Sequence, residues 1–161
     1  MCQVDQRTRI APGWIHNLWW APPGPADNAA SSDSVGHGGI VPLAAEPGGS
    51  LFRLCLVPPQ AYIKSLTDAE IEHTFAKLDA SAARKRGAGH RLMHATETVD
   101  YVVVLRGSVT LHLDAGSVHL GPMDTLVQRG TSHGWSNESD EWAVLAVAMV
   151  GALPFHGRWQ P

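Results

Sequence analysis

Apolar residues in this chain recur mostly at intervals of two, and that alternation predicts strands along most of its length. Trp14-Ile15-His16-Asn17-Leu18-Trp19-Trp20 is an aromatic, β-branched run that stops at Pro22-Pro23-Gly24-Pro25, which cannot continue a ladder. Gly39 to Ala45 is a brief apolar run. Leu51 to Val57 is a stronger one, closed by Pro58-Pro59, with Glu46 to Ser50 as the turn between them. In the stronger run Phe52, Leu54 and Leu56 face one way and Arg53, Cys55 and Val57 the other. Arg53 therefore borders a cavity or stands as a solvated, ion-paired arginine.

The period changes once. Thr67-Asp68-Ala69-Glu70 is a capping box, with Leu66 and Ile71 at staple positions. Ile71, Phe75 and Leu78 follow at helical spacing, which predicts one amphipathic helix over 67–82, ended by Lys85-Arg86 and Gly87-Ala88-Gly89. From Leu92 the alternation returns: strands are expected at Tyr101–Leu105, Val109–Leu113, Val118–Leu120, Thr125–Gln128 and Trp142–Val150. Strands this short and closely spaced make an all-β barrel or sandwich.

The 161 residues suffice for one domain. Its expected parts are N-terminal strands over 13–58, the helix, a motif-bearing barrel over 90–150 and a tail over 151–161. The Ser-, Asp- and Gly-rich segment 26–39, with His37, reads as a surface loop over one end of the barrel. Phe155 and Trp159 of the tail dock on the outside or on a partner. A net charge of −3 without a basic patch argues against nucleic acid, and the absence of an eighteen-residue apolar run argues against a membrane helix. Cys2 and Cys55 are expected as free thiols; with no signal-like run in Met1–Arg9, the expected location is cytoplasmic.

Chemistry-bearing side chains concentrate in two segments. Counting by twos, His94, Thr96, Thr98 and Asp100 share one strand face; His133, Trp135 and Asn137 share another, with Gln128 just before the turn that delivers His133. If both faces point into one barrel, they meet. His90 is expected to be exposed, His112 and His119 to face each other across an outer hairpin face, and His16, His73 and His156 to lack partners at metal spacing.

These segments resemble the two motifs of the cupin superfamily, specifically its small single-domain, type-2-like members. His94-x-Thr96, three residues, Asp100-Tyr101 and, six residues beyond Asp100, Gly107 keep the spacing of the first motif. Gln128-Arg129-Gly130-Thr131, His133, Trp135 and Asn137 keep the spacing of the second, with Gln128 in place of proline and Met123 where a glycine is usual. The chain has Thr96 where cupins place a second metal histidine, and Asp100 where they place glutamate. The resemblance implies a cupin double-stranded β-helix, a jelly-roll-like barrel with the helix inserted before the first motif.

It also implies a site of His94, Asp100 and His133. Those three either hold one divalent metal (Fe, Zn, Mn or Ni) or act as metal-free acid and base, with Asp100 orienting a histidine. Thr96, Gln128, Trp135 and Arg53 are the expected substrate-binding residues. With six tryptophans, Trp135 and Trp19 or Trp20 are candidates either for core or for a pocket wall. The leading expectation is a small-molecule enzyme doing non-redox chemistry (cyclisation, dehydration, isomerisation or decarboxylation) on an aromatic or polyketide-like intermediate. An Fe(II)-dependent oxygenase and a non-catalytic ligand-binding cupin are the rivals. An apolar sheet edge suggests a homodimer.

Overall fold

The computed structural model describes residues 14–25, 27, 29, 42–87 and 89–154. The expectations for Cys2, His37, His156, Phe155 and Trp159, and nearly all of the 26–39 loop, lie outside the described residues.

In chain order the elements are β1 (Ile15–Ala21), β2 (Ser50–Val57), α1 (Gln60–Ser65), α2 (Asp68–Lys77), β3 (Thr98–Arg106), β4 (Val109–Leu113), β5 (Gly116–Leu120), β6 (Thr125–Arg129), β7 (His133–Ser136) and β8 (Ala143–Gly151). Every strand pair is antiparallel. One sheet runs β1-β2-β8-β3-β6 and the other β5-β4-β7. The pairs nest: β4 lies beside β5 and β7, β3 beside β6 and β8, and β2 beside β8, as when one long hairpin is wound round an axis. That is a double-stranded β-helix, the fold expected from the sequence.

The fourth place in the smaller sheet is held by irregular chain. His94 and His133 exchange both backbone hydrogen bonds, each at 2.8 Å, and His94 bridges to Arg84 on its other side. Leu51, Val102, Val104, Val109, Leu111, Leu145 and Val147 fill the space between the sheets. A second cluster of Ile71, Phe75 and Ala80, with Leu43, Leu66, Leu78 and Leu92 against it, seats α2 beside this core. Glu72 of α2 pairs with Arg84 and Arg86, and Asp68 with Arg91, tying the helix to the chain that leads into His94.

Three expectations are corrected. There are two helices: α1 follows Pro59, whose fixed φ of −50° suits a helix entrance, and was hidden by its few apolar positions. α2 keeps its capping box but stops at Lys77, because Asp79 turns left-handed (φ 49°) and Ala80 folds back onto the carbonyl of Phe75. Residues 42–45 form no strand; the carbonyls of Pro42 and Leu43 are taken by the Arg53 guanidinium instead of a ladder.

The outward face of the larger sheet is apolar. Register aligns Trp19, Phe52, Ala148, Tyr101 and Val127 in one row across all five strands. Phe52 is 43% exposed and Val127 55%, with Trp19 and Tyr101 between them.

Candidate active site: a paired-imidazole cavity

Between the sheets lies a cavity of about 150 Å³, walled by Val102, Leu145, Val147 and Met149 from the larger sheet and by Phe75 and Leu78 from the α2 region. Its polar lining is Arg53, Cys55, Thr74, His94, Asp100, Gln128 and His133. The structure therefore brings together six of the seven residues singled out from sequence, counting Trp135. Thr96 is the exception: its hydroxyl bonds Thr98 at 2.8 Å, and it lines a separate groove beside Gly130 and Thr131.

The two imidazoles are in contact, their ring centroids 4.3 Å apart. His94 Nδ1 donates to the Leu92 carbonyl at 2.9 Å and His133 Nδ1 to the Thr131 carbonyl at 3.0 Å. A carbonyl only accepts, so each ring carries its proton on Nδ1, and a neutral ring then has its lone pair on Nε2. Burial holds both rings below the ordinary imidazole pKa, and for His133 the adjacent His94 adds to the effect. Both rings are thus neutral acceptors. Backbone carbonyls orient them, not Asp100, which corrects that part of the expectation. Phe75 closes over His94 edge-on, at 5.9 Å between centroids.

Asp100 is buried, and its Oδ1 has no hydrogen-bond partner. Burial raises its pKa from 3.8 to about 6, against the opposing pull of a Thr98 hydrogen bond and of Arg53. Arg53 is 1% exposed, not solvated, and forms no ion pair among the described residues. Its two terminal nitrogens donate to Leu43 and Pro42, while Nε is buried without a partner. Gln128 gives its amide nitrogen to Thr131. Trp135 packs on the core and lines the cavity, meeting His133 edge-on at 6.4 Å.

Other assignments change. Trp19 is on the outer face and Trp20 packs on the core; the second tryptophan of the cavity is Trp14. His90 is buried and stacks on His112, with centroids 4.9 Å apart, and His119 pairs with Thr110 instead. Gly134 permits this approach, since a Cβ there would stand 3.1 Å from His90 Nδ1. Cys55 lines the cavity as a free thiol that burial pushes up to about pKa 11, so it stays protonated. The alternating pattern had placed Cys55 beside Arg53 but gave no reason to put it in the site.

A resident divalent ion requires three or more converging protein ligands. Among the described residues no group of three His, Cys, Asp or Glu side chains stands at metal-holding spacing. The two imidazoles meet, but Asp100 does not complete the set and the Thr96 hydroxyl is spent on Thr98.

The fold and site thus define a double-stranded β-helix barrel with a cavity lined by two imidazoles and one carboxylate. No family model matches the chain. It is 32% identical over 135 residues to phomopsin biosynthesis cluster protein C' of Diaporthe leptostromiformis, covering 81% of this chain and 57% of that protein. It is 44% identical over 71 residues to phomopsin biosynthesis cluster protein D of the same organism, covering 43% of this chain and 38% of that one. The chain therefore spans little more than half the length of one curated relative and less of the other. Among solved structures it is similar to a cupin 2 conserved barrel domain protein from Salinispora arenicola, with TM-score 0.42, 14% identity, and coverage of 86% of this chain and 75% of that one. No helix among the described residues is long and apolar enough to cross a membrane.

Proposed function

We propose that the protein is a small-molecule enzyme of a biosynthetic pathway that catalyses a non-redox proton-transfer reaction: cyclisation, dehydration, isomerisation or decarboxylation. The observation that carries this is the Asp100 carboxyl, raised to about 6 inside an apolar cavity that it shares with two neutral imidazoles. A base poised near the working pH is the most effective proton acceptor, and groups whose environments drive their pKa values apart take distinct acid–base roles. Asp100 removes the substrate proton. The Nε2 atoms of His94 and His133 hold the substrate's hydrogen-bond donor, and Gln128 and Trp135 position its body. Similarity to two proteins of a phomopsin biosynthesis cluster supports the pathway setting.

The test is metabolite analysis of the native host carrying Asp100→Asn. The accumulating compound is expected to be an isomer of the next intermediate, or to differ from it by water or carbon dioxide, and turnover by the unaltered protein is expected to survive chelation. A mass difference of two hydrogens or one oxygen, or loss of turnover on chelation, would overturn the proposal and favour the iron oxygenase.

We also propose that the apolar outer face of the larger sheet pairs with a second copy of the chain. Five strands at the usual spacing, over about six residues, present roughly 500 Å² on each protomer. Two such faces reach the roughly 1,000 Å² that a stable interface needs.

A further inference from the structure

The polar end of the cavity is built almost wholly of hydrogen-bond acceptors. His94 and His133 have committed their Nδ1 protons to carbonyls, leaving Nε2 lone pairs. Gln128 has committed its amide nitrogen to Thr131, leaving the side-chain carbonyl oxygen. Asp100 Oδ1 is buried and unpartnered. Against these four acceptors stand the Arg53 guanidinium, whose Nε has no partner and whose terminal nitrogens each give one hydrogen to Leu43 and Pro42, and the weakly donating Cys55 thiol. A buried arginine in a cavity ordinarily suggests an anionic ligand. Here both terminal nitrogens are engaged by the Leu43 and Pro42 carbonyls, and a carboxylate or phosphate approaching the imidazole pair would meet lone pairs and the Asp100 carboxyl.

Size restricts the ligand further. An apolar cavity of about 150 Å³ accommodates a molecule such as benzene, and this cavity has that volume. We infer that the site takes an uncharged molecule whose inserted part is one ring or a branched aliphatic group, bearing a hydroxyl or N–H donor aimed at the imidazole pair. Anions are disfavoured at the imidazole end, and a fused-ring system would not be enclosed whole. This rests on the cavity being the working site, as proposed above, and it narrows the expected substrate: a multi-ring polyketide would not enter whole.

The experiment is equilibrium binding of phenol, anisole, benzoate and naphthol to the unaltered chain, followed by calorimetry and by nitrogen spectra of isotope-labelled histidine. Phenol is expected to bind about tenfold or more tightly than anisole or benzoate, the cost of leaving a buried acceptor unpaired, and to shift the Nε2 signals of His94 and His133. Naphthol is expected to bind more weakly than phenol. Equal or tighter binding of benzoate, indifference between phenol and anisole, tighter naphthol binding, unmoved Nε2 signals, or no binding of phenol would each overturn the inference. Binding needs no turnover. Selection of phenol by a protein without proton-transfer activity would therefore leave this inference standing and remove the proposed reaction, while turnover of an anionic substrate would do the reverse.

Discussion

Asp100 sets a conflict between stability and use that one substitution can expose. Its folded pKa of about 6 lies above the ordinary 3.8, so its favourable contribution is present below pH 3.8 and is lost as pH rises through about 6. Above that pH the fold carries a buried charge with an orphaned oxygen. Asp100→Asn is expected to stabilise the protein by roughly 3 kcal/mol well above pH 6, following the size of the shift, with little gain near pH 4. The same substitution should abolish turnover, while the unaltered protein's rate should fall as pH drops through about 6. Urea unfolding at the two pH values, alongside a rate profile, checks both halves. The histidines have the opposite sign: with pKa values depressed by burial, their contribution is present above the ordinary imidazole value and lost as pH falls.

At this scale the sequence was legible where spacing carries information. His94, Asp100 and His133 were placed together because strand alternation and the motif intervals bring them to one interior. Their tautomers were not legible, since the Leu92 and Thr131 carbonyls that fix them belong to the backbone. Nor was His90, whose burial depends on the missing side chain at Gly134, forty-four residues away in β7.

Among the elements, the turn between β5 and β6 departs from the expected pattern in a measurable way. Met123 occupies the left-handed region at φ 72° and is 76% exposed, so its side chain contributes little packing while its Cβ strains the backbone. Its N–H is still needed, bonding the Val104 carbonyl at 2.8 Å. Met123→Gly is expected to raise stability by about 1 kcal/mol, read as a higher urea midpoint at unchanged slope. Gly107 is the contrasting case: φ is 74°, and an added Cβ would lie 2.9 Å from the Cβ of Ala143. Local signals predicted α2 well because the capping box, staple and apolar stripe all lie within a few residues. They missed its end and the whole of α1, because those are decided by contacts with the barrel wall and by a single left-handed aspartate.

For the whole molecule, the row from Trp19 to Val127 is the feature on which association depends. Sedimentation is expected to give a dimer of the 17.3 kDa chain. Tyr101→Lys, placing a charge within the row between Ala148 and Val127, is expected to yield monomers with an unchanged far-ultraviolet spectrum. A monomeric unaltered chain would rule the pairing out. The alternation in β2 set Phe52, Leu54 and Leu56 on one face, but only the register shows that the exposed residues of five strands align into one continuous band.

The reciprocal amide–carbonyl exchange between His94 and His133 is the stitch that joins the lead-in to the first long strand with the seventh. Neither ring has its place until that stitch is made, and both lose it together if the stitch opens. Occupancy of the cavity is thus coupled to closure of the entire wound ribbon, and not to the fraying of one loop. A molecule held there would slow amide exchange at sites on both windings at once.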